Sequence, residues 1–183
     1  MEKIQTAIEG LFLLRPQRFE DARGYFFESF NEAAFRAVTG LETHFVQDNE
    51  SKSVRGVVRG LHFQLPPHAQ AKLVRVVAGR VLDVAVDIRR SSPTFGQYVA
   101  VELSAENGLQ LFIPEGFAHG YAVLSEEAVF QYKCSDYYHP ESEAGIAWND
   151  AALAIRWPYT AEEAMLSVKD SSQPAFHEAH LFE

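Results

Sequence analysis

Short apolar runs, broken at close intervals by glycine and proline, constrain this chain more than any other feature. Residues 73–77, 81–88, 95–103, 109–113, 121–124 and 129–134 are each of strand length and rich in β-branched and aromatic side chains. Turn-forming clusters separate them, Ser104-Ala105-Glu106-Asn107-Gly108 and Pro114-Glu115-Gly116 among them. Earlier runs of the same kind cover 24–30, 45–47 and 56–64. Helical signals are sparse. Asn31 is an N-cap candidate before Glu32-Ala33-Ala34-Phe35, and Thr160-Ala161-Glu162-Glu163 reads as a capping box opening a short helix. The spacing predicts an all-β sandwich or small barrel with a few short peripheral helices. Ala78-Gly79-Arg80 predicts a hairpin between its flanking runs. In the second of these, Leu82, Val84, Val86 and Ile88 alternate with Val81, Asp83, Ala85 and Asp87. That pattern predicts a half-buried strand with one polar face.

A chain of 183 residues suits one domain, and such a domain buries ~70% of the unfolded chain's surface without staples. The 14 Phe and 7 Tyr must fill a core or line a pocket. The single cysteine, Cys134, leaves no internal disulfide and fits a reducing compartment. No apolar run approaches a membrane span, and Met1-Glu2-Lys3-Ile4-Gln5 lacks a secretory pattern, so a cytoplasmic location is expected. A net charge of -9 argues against a nucleic-acid partner. An anionic small ligand would need positive charge gathered locally, for which Arg23, Arg59, Lys72, Arg75 and Lys169 are the candidates.

Strand parity gathers the polar residues. In 56–64, His62 and Gln64 point one way, and Leu61 and Phe63 the other. Phe130, Tyr132 and Cys134 share a face, and Lys72 shares one with Val74 and Val76. A lumen carrying His62, Gln64, Lys72 and Tyr132 is self-consistent and more polar than a plain core tolerates. Arg59 has the wrong parity and joins them only if Gly60 sits at a bulge.

His62-x-Gln64 and Pro114-x-Gly116-x-x-His119 resemble the two motifs of metal-binding cupin barrels. Gln64 stands where such a barrel has a second histidine, and Lys72 stands near the place of its carboxylate ligand. A metal needs a full ligand set, and an ammonium group there would repel it, so neither metal nor cofactor is expected.

The motifs Arg59-Gly60-Leu61-His62-Phe63-Gln64, Ala71-Lys72-Leu73-Val74-Arg75-Val76, Pro114-Glu115-Gly116-Phe117-Ala118-His119-Gly120, Tyr132-Lys133-Cys134-Ser135-Asp136-Tyr137-Tyr138 and Ser167-Val168-Lys169-Asp170 occur in this order. Over about 23–170 the chain resembles the dTDP-4-dehydrorhamnose 3,5-epimerase family, a metal-free branch of the cupins. The resemblance implies one cupin-type jelly roll over 1–183. It also implies a homodimer with the segment at about 20–50 at the subunit interface, and a C-terminal helical segment at about 160–183.

The implied reaction is epimerisation at C3 and C5 of dTDP-4-dehydro-6-deoxy-D-glucose. His62 is then the base, a role that suits a neutral imidazole. Asp170 orients His62, Lys72 stabilises the enolate oxygen, and Tyr132 returns a proton from the opposite face. The resemblance assigns substrate contacts to Arg23, Glu28, Gln47, Asp48, Asn49, Arg59, Lys72, His119, Glu143 and Lys169, and stacking on thymine to Tyr138, with Tyr137 its confusable neighbour. His44, His68, His139, His177 and His180 read as surface residues, Cys134 as buried and inert, and Trp148 and Trp157 as packing residues. The rival readings are a one-centre epimerase of a related sugar, a metal cupin, and a non-catalytic sugar-binding cupin.

Overall fold

The computed structural model describes residues 1–183. Thirteen strands and two short helices follow in the order β1 (Glu2–Gln5), β2 (Phe12–Arg15), β3 (Phe19–Asp21), β4 (Gly24–Phe26), α1 (Glu32–Thr39), β5 (Gln47–Val54), β6 (Val58–Gln64), β7 (Lys72–Ala78), β8 (Arg80–Asp87), β9 (Tyr98–Ser104), β10 (Gln110–Ile113), β11 (Phe117–Val123), β12 (Glu127–Cys134), β13 (Glu143–Gly145) and α2 (Val168–Ser171). They form a six-stranded sheet, β1-β2-β10-β7-β12-β5, a five-stranded sheet, β13-β6-β11-β8-β9, and the separate hairpin β3-β4. The expected all-β jelly roll is the architecture found. No helix is long and apolar enough to cross a membrane.

The main core lies between the two sheets, where Val74, Val76 and Phe130 meet Val81, Ala85 and Tyr121. A second cluster, with Leu61, Val84, Val86 and Ile146, covers the other face of the five-stranded sheet beneath Leu181. A third places Phe35 of α1 against Phe12, Leu73 and Phe112 on the back of the six-stranded sheet. Asn31 caps α1 by accepting from the Ala34 N–H at 3.0 Å, which satisfies one of the helix's free donors.

Two local readings are corrected. The runs flanking Gly79 do not form a hairpin, because β7 belongs to the six-stranded sheet and β8 to the five-stranded one. Gly79 is the corner between them, at φ +74°, where an added Cβ would lie 2.1 Å from the Glu127 carbonyl. β8 has no solvent face, since Asp83 and Asp87 are fully buried. Its supposedly polar side faces the lumen, and its other side lies under the second cluster.

Thr160–Glu163 makes the expected bond from the Thr160 N–H to Glu163 Oε2 at 2.9 Å, but the chain completes only a turn. Between 160 and 183 the only helix is α2, four residues long, so that segment is irregular rather than helical. β5 was anticipated only at its first residue. Its sequence Gln47-Asp48-Asn49-Glu50-Ser51-Lys52-Ser53-Val54 is polar, and it forms the sheet edge with only alternate residues turned inward.

Candidate active site

A cleft of about 270 Å³ opens between the sheets, lined by His62 and Gln64 of β6, Lys72 of β7, Tyr132 and Cys134 of β12, Gln47 and Asn49 of β5, Glu143 of β13, and Tyr138. Register explains the grouping. Tyr132 is paired with Asn49 on one side and Val74 on the other, and Cys134 with Gln47 and Lys72. Paired residues present side chains on one face, so these residues share the lumen. His62 comes from the opposing sheet, where its partners are His119 and Gly145.

His62 Nε2 lies 2.6 Å from Asp170 Oδ1, with the carboxylate off the axis of a ring N–H. Asp170 is 4% exposed. It accepts from Ser167 Oγ at 2.6 Å and from the Gly60 N–H at 3.2 Å. Burial opposes its charge, but the adjoining His62 ring and the hydrogen bonds from Ser167 and Gly60 prevail and hold the carboxyl at about 2. Ser167 is the N-cap of α2 and accepts from the Asp170 N–H. The Ser167-Val168-Lys169-Asp170 turn thus fixes the carboxylate beneath β6. Ser167 was given no role in sequence beyond its place in the motif, although a serine three residues before an acid is the signature of such a cap.

Burial, with smaller contributions from Cys134 and Tyr121, pushes the Tyr132 phenol up to about 12, while Arg59 pulls the other way. Desolvation also lowers the Lys72 ammonium, opposed by Cys134, Asp83 and Glu143. At the mouth, Tyr138 Oη donates to Glu143 Oε2 at 2.9 Å, and Lys169 Nζ bonds the other oxygen of Glu143. Burial again disfavours the Glu143 charge, but these two partners outweigh it and lower its pKa.

Gly60 sits at the bulge that Arg59 needs. β11 pairs His119 with His62 and Tyr121 with Arg59, so two residues of β6 face Gly120 alone. At Gly60, φ is +123°, and an added Cβ would come within 2.5 Å of Gly120 Cα. The extra residue turns Arg59 to the same side as His62, where its Nε donates to Ser53 Oγ at 3.1 Å.

His119 is 7% exposed and does not line the cleft. Its Nε2 lies 3.0 Å from Oδ2 of the fully buried Asp83, so it stands behind His62 rather than at the opening. Asp83 is a lumen residue that sequence reasoning turned outward. Its signal was a carboxylate in phase with the apolar Val81 and Ala85.

Besides His119, three expected contacts are not brought to the cleft. Asp48 has opposite parity to Gln47 and Asn49, and it pairs with Lys133 at 2.8 Å on the back of the sheet. Arg23 sits on the projecting β3-β4 hairpin and pairs with Asp21. Glu28 accepts from Asn31 Nδ2 at 3.0 Å, also away from the cleft.

The sequence model of the dTDP-4-dehydrorhamnose 3,5-epimerase family matches residues 5–178. A curated enzyme of that name from Salmonella typhimurium is 54% identical over 180 residues, covering 98% of each chain. The chain belongs to this family. Among solved structures, the dTDP-4-dehydrorhamnose 3,5-epimerase of Elizabethkingia anophelis superposes with a TM-score of 0.92 at 52% identity, covering 97% of both chains. The Legionella pneumophila 3,5-epimerase, solved in complex with dTDP-4-keto-L-rhamnose, gives 0.93 at 51% identity, covering 97% of this chain and 93% of that one. Like the other members of its family, the epimerase described here is an isomerase of sugar chemistry.

Proposed function

We propose that this epimerase inverts C3 and C5 of dTDP-4-dehydro-6-deoxy-D-glucose, giving dTDP-4-dehydro-L-rhamnose for dTDP-rhamnose synthesis. The observation that carries the reading is the placement of His62 and Tyr132 on opposite sheets around one cleft. The C4 ketone acidifies both neighbouring C–H bonds. His62, held by Asp170, removes a proton from one face of the ring. Lys72 stabilises the enolate oxygen. Tyr132, protonated at neutral pH, returns a proton to the other face. This is proton transfer with charge stabilisation supplied by the chain's own residues.

Arg59 suits the diphosphate, because a guanidinium fork binds phosphate oxygens bidentately. Tyr138 offers an aromatic face to thymine, and Gln47, Asn49, Glu143 and Lys169 contact the nucleotide sugar. Phe19, Tyr25 and Phe26 of the hairpin are 56%, 55% and 68% exposed. Cover for them would come from a second copy in a homodimer, whose cleft Arg23 and Glu28 would then serve.

The test is incubation with the substrate in heavy water followed by NMR. Deuterium at both C3 and C5 is expected, and its loss at both on replacing His62 by Ala. Deuterium at one carbon only would select a one-centre epimerase, and none would overturn the reading.

A further inference from the structure

His68 and His139 do not behave as independent surface residues. His68 lies in the loop between β6 and β7, and His139 follows β12, yet their rings stack with centroids 3.5 Å apart. Asp136 completes a group in which one donor atom from each residue lies within 4.8 Å of the others. The three side chains are 30%, 31% and 34% exposed for His68, His139 and Asp136. The group is therefore sheltered, with one open side.

The loops carrying these residues are pinned from below. Gln64 Nε2 donates to the His68 carbonyl at 2.7 Å, and Gln64 Oε1 accepts from the His139 N–H at 2.7 Å. Gln70 Nε2 donates to the Asp136 carbonyl at 2.7 Å. All three backbones are thus held, and only ring rotations remain for the donors to converge.

We infer that His68, Asp136 and His139 form a site for one divalent transition-metal cation of the zinc class at the rim of the cleft. Imidazole and carboxylate donors are the set that zinc takes, with water filling the open position. His68 Nδ1 and Asp136 Oδ2 are 3.2 Å apart, close to the roughly 3.4 Å edge of a tetrahedron with bonds of about 2.1 Å. Glu141 Oε1 lies 3.1 Å from His139 Nδ1. A carboxylate there fixes the proton on Nδ1 and leaves Nε2 free for an ion, the usual outer support of a metal-bound histidine. The ion would tie the two loops together beside Tyr138, apart from the lumen where a metal cupin holds its metal.

The test uses tag-free, chelator-treated protein titrated with Zn²⁺ alone by calorimetry, and with Co²⁺ alone by visible absorption. One equivalent per chain with a micromolar or tighter Kd is expected, with the absorption of four-coordinate Co²⁺. The variant carrying both His68→Ala and His139→Ala should bind at least tenfold more weakly. Absence of a stoichiometric site in the wild type would overturn the inference, and the Co²⁺ spectrum reads this without any variant. Unchanged affinity in the folded double variant would also overturn it, placing the ion on other histidines.

Discussion

His62 and Tyr132 enter one cleft from different sheets, His62 from β6 and Tyr132 from β12. On the proposed mechanism, a planar enolate between the sheets would meet an imidazole on one face and a phenol on the other. Inversion at carbon requires that arrangement, because a single group returning its own proton would restore the starting configuration.

Replacing Tyr132 by Phe removes the acid and leaves the base. Inversion should fall by about 10²–10⁴-fold, while His62 still exchanges the acidic C–H with solvent. The measurement is NMR in heavy water, comparing deuterium uptake with product formation. An unchanged inversion rate in the variant would remove Tyr132 from the mechanism.

Asp170 couples the site to stability. Its carboxyl sits near 2 in the folded chain against 3.8 for the ordinary group. The stabilisation, roughly 2 kcal/mol, is therefore complete above about pH 4 and is lost as pH falls toward 2. Asp170→Asn should lower unfolding free energy at neutral pH by that order, and the gap should close between pH 4 and 2. Urea titrations followed by circular dichroism at several pH values check this. The same variant should lose kcat more than KM, since Asp170 acts through His62.

Much of this site was legible because strand parity is a rigid rule. Alternation within each strand was consistent with His62, Gln64, Lys72 and Tyr132 sharing one lumen, and the cleft contains all four. Parity also required a bulge at Gly60 before Arg59 could join. What alternation cannot supply is which side of a strand meets solvent. Asp83 and Asp87 sit on a strand covered on both faces, so their charge was read as exposure. Nor does a short link between strands say whether they pair, as Gly79 shows by carrying the chain from one sheet to the other. The pairing of His68 with His139 joins loops 71 residues apart and has no local signature.

Gly60 is a position beside the cleft that cannot accept a side chain without the backbone moving. A Cβ there would lie 2.5 Å from Gly120 Cα and 2.8 Å from the His119 carbonyl, at φ +123°. Positive φ alone costs a non-glycine residue about 1–3 kcal/mol, and the contacts are with backbone, which cannot swing aside. Gly60→Ala should lower the melting temperature by more than about 4 °C, since 1 kcal/mol is worth roughly 2–4 °C in a chain of this size. Activity should fall further than stability, because His62 and Arg59 flank the bulge. Differential scanning calorimetry beside steady-state kinetics reads both, and a variant with wild-type melting would show that the strand yields there.

Lys72 carries the last prediction, on the alkaline side. Burial lowers its ammonium below the usual 10.5, against the pull of Cys134, Asp83 and Glu143. As pH rises through that lowered value the positive charge disappears, and with it the stabilisation of the enolate oxygen. The kcat profile should therefore fall at a pH below that of an ordinary lysine. Tyr132 does not produce that limb, because its phenol is pushed up to about 12. Lys72→Arg keeps a charge across the whole range, so its profile should lose the limb while its kcat is lower throughout, the planar guanidinium being a poorer fit than a point charge. A limb unchanged in the arginine variant would assign it to another group and leave Lys72 a binding residue only.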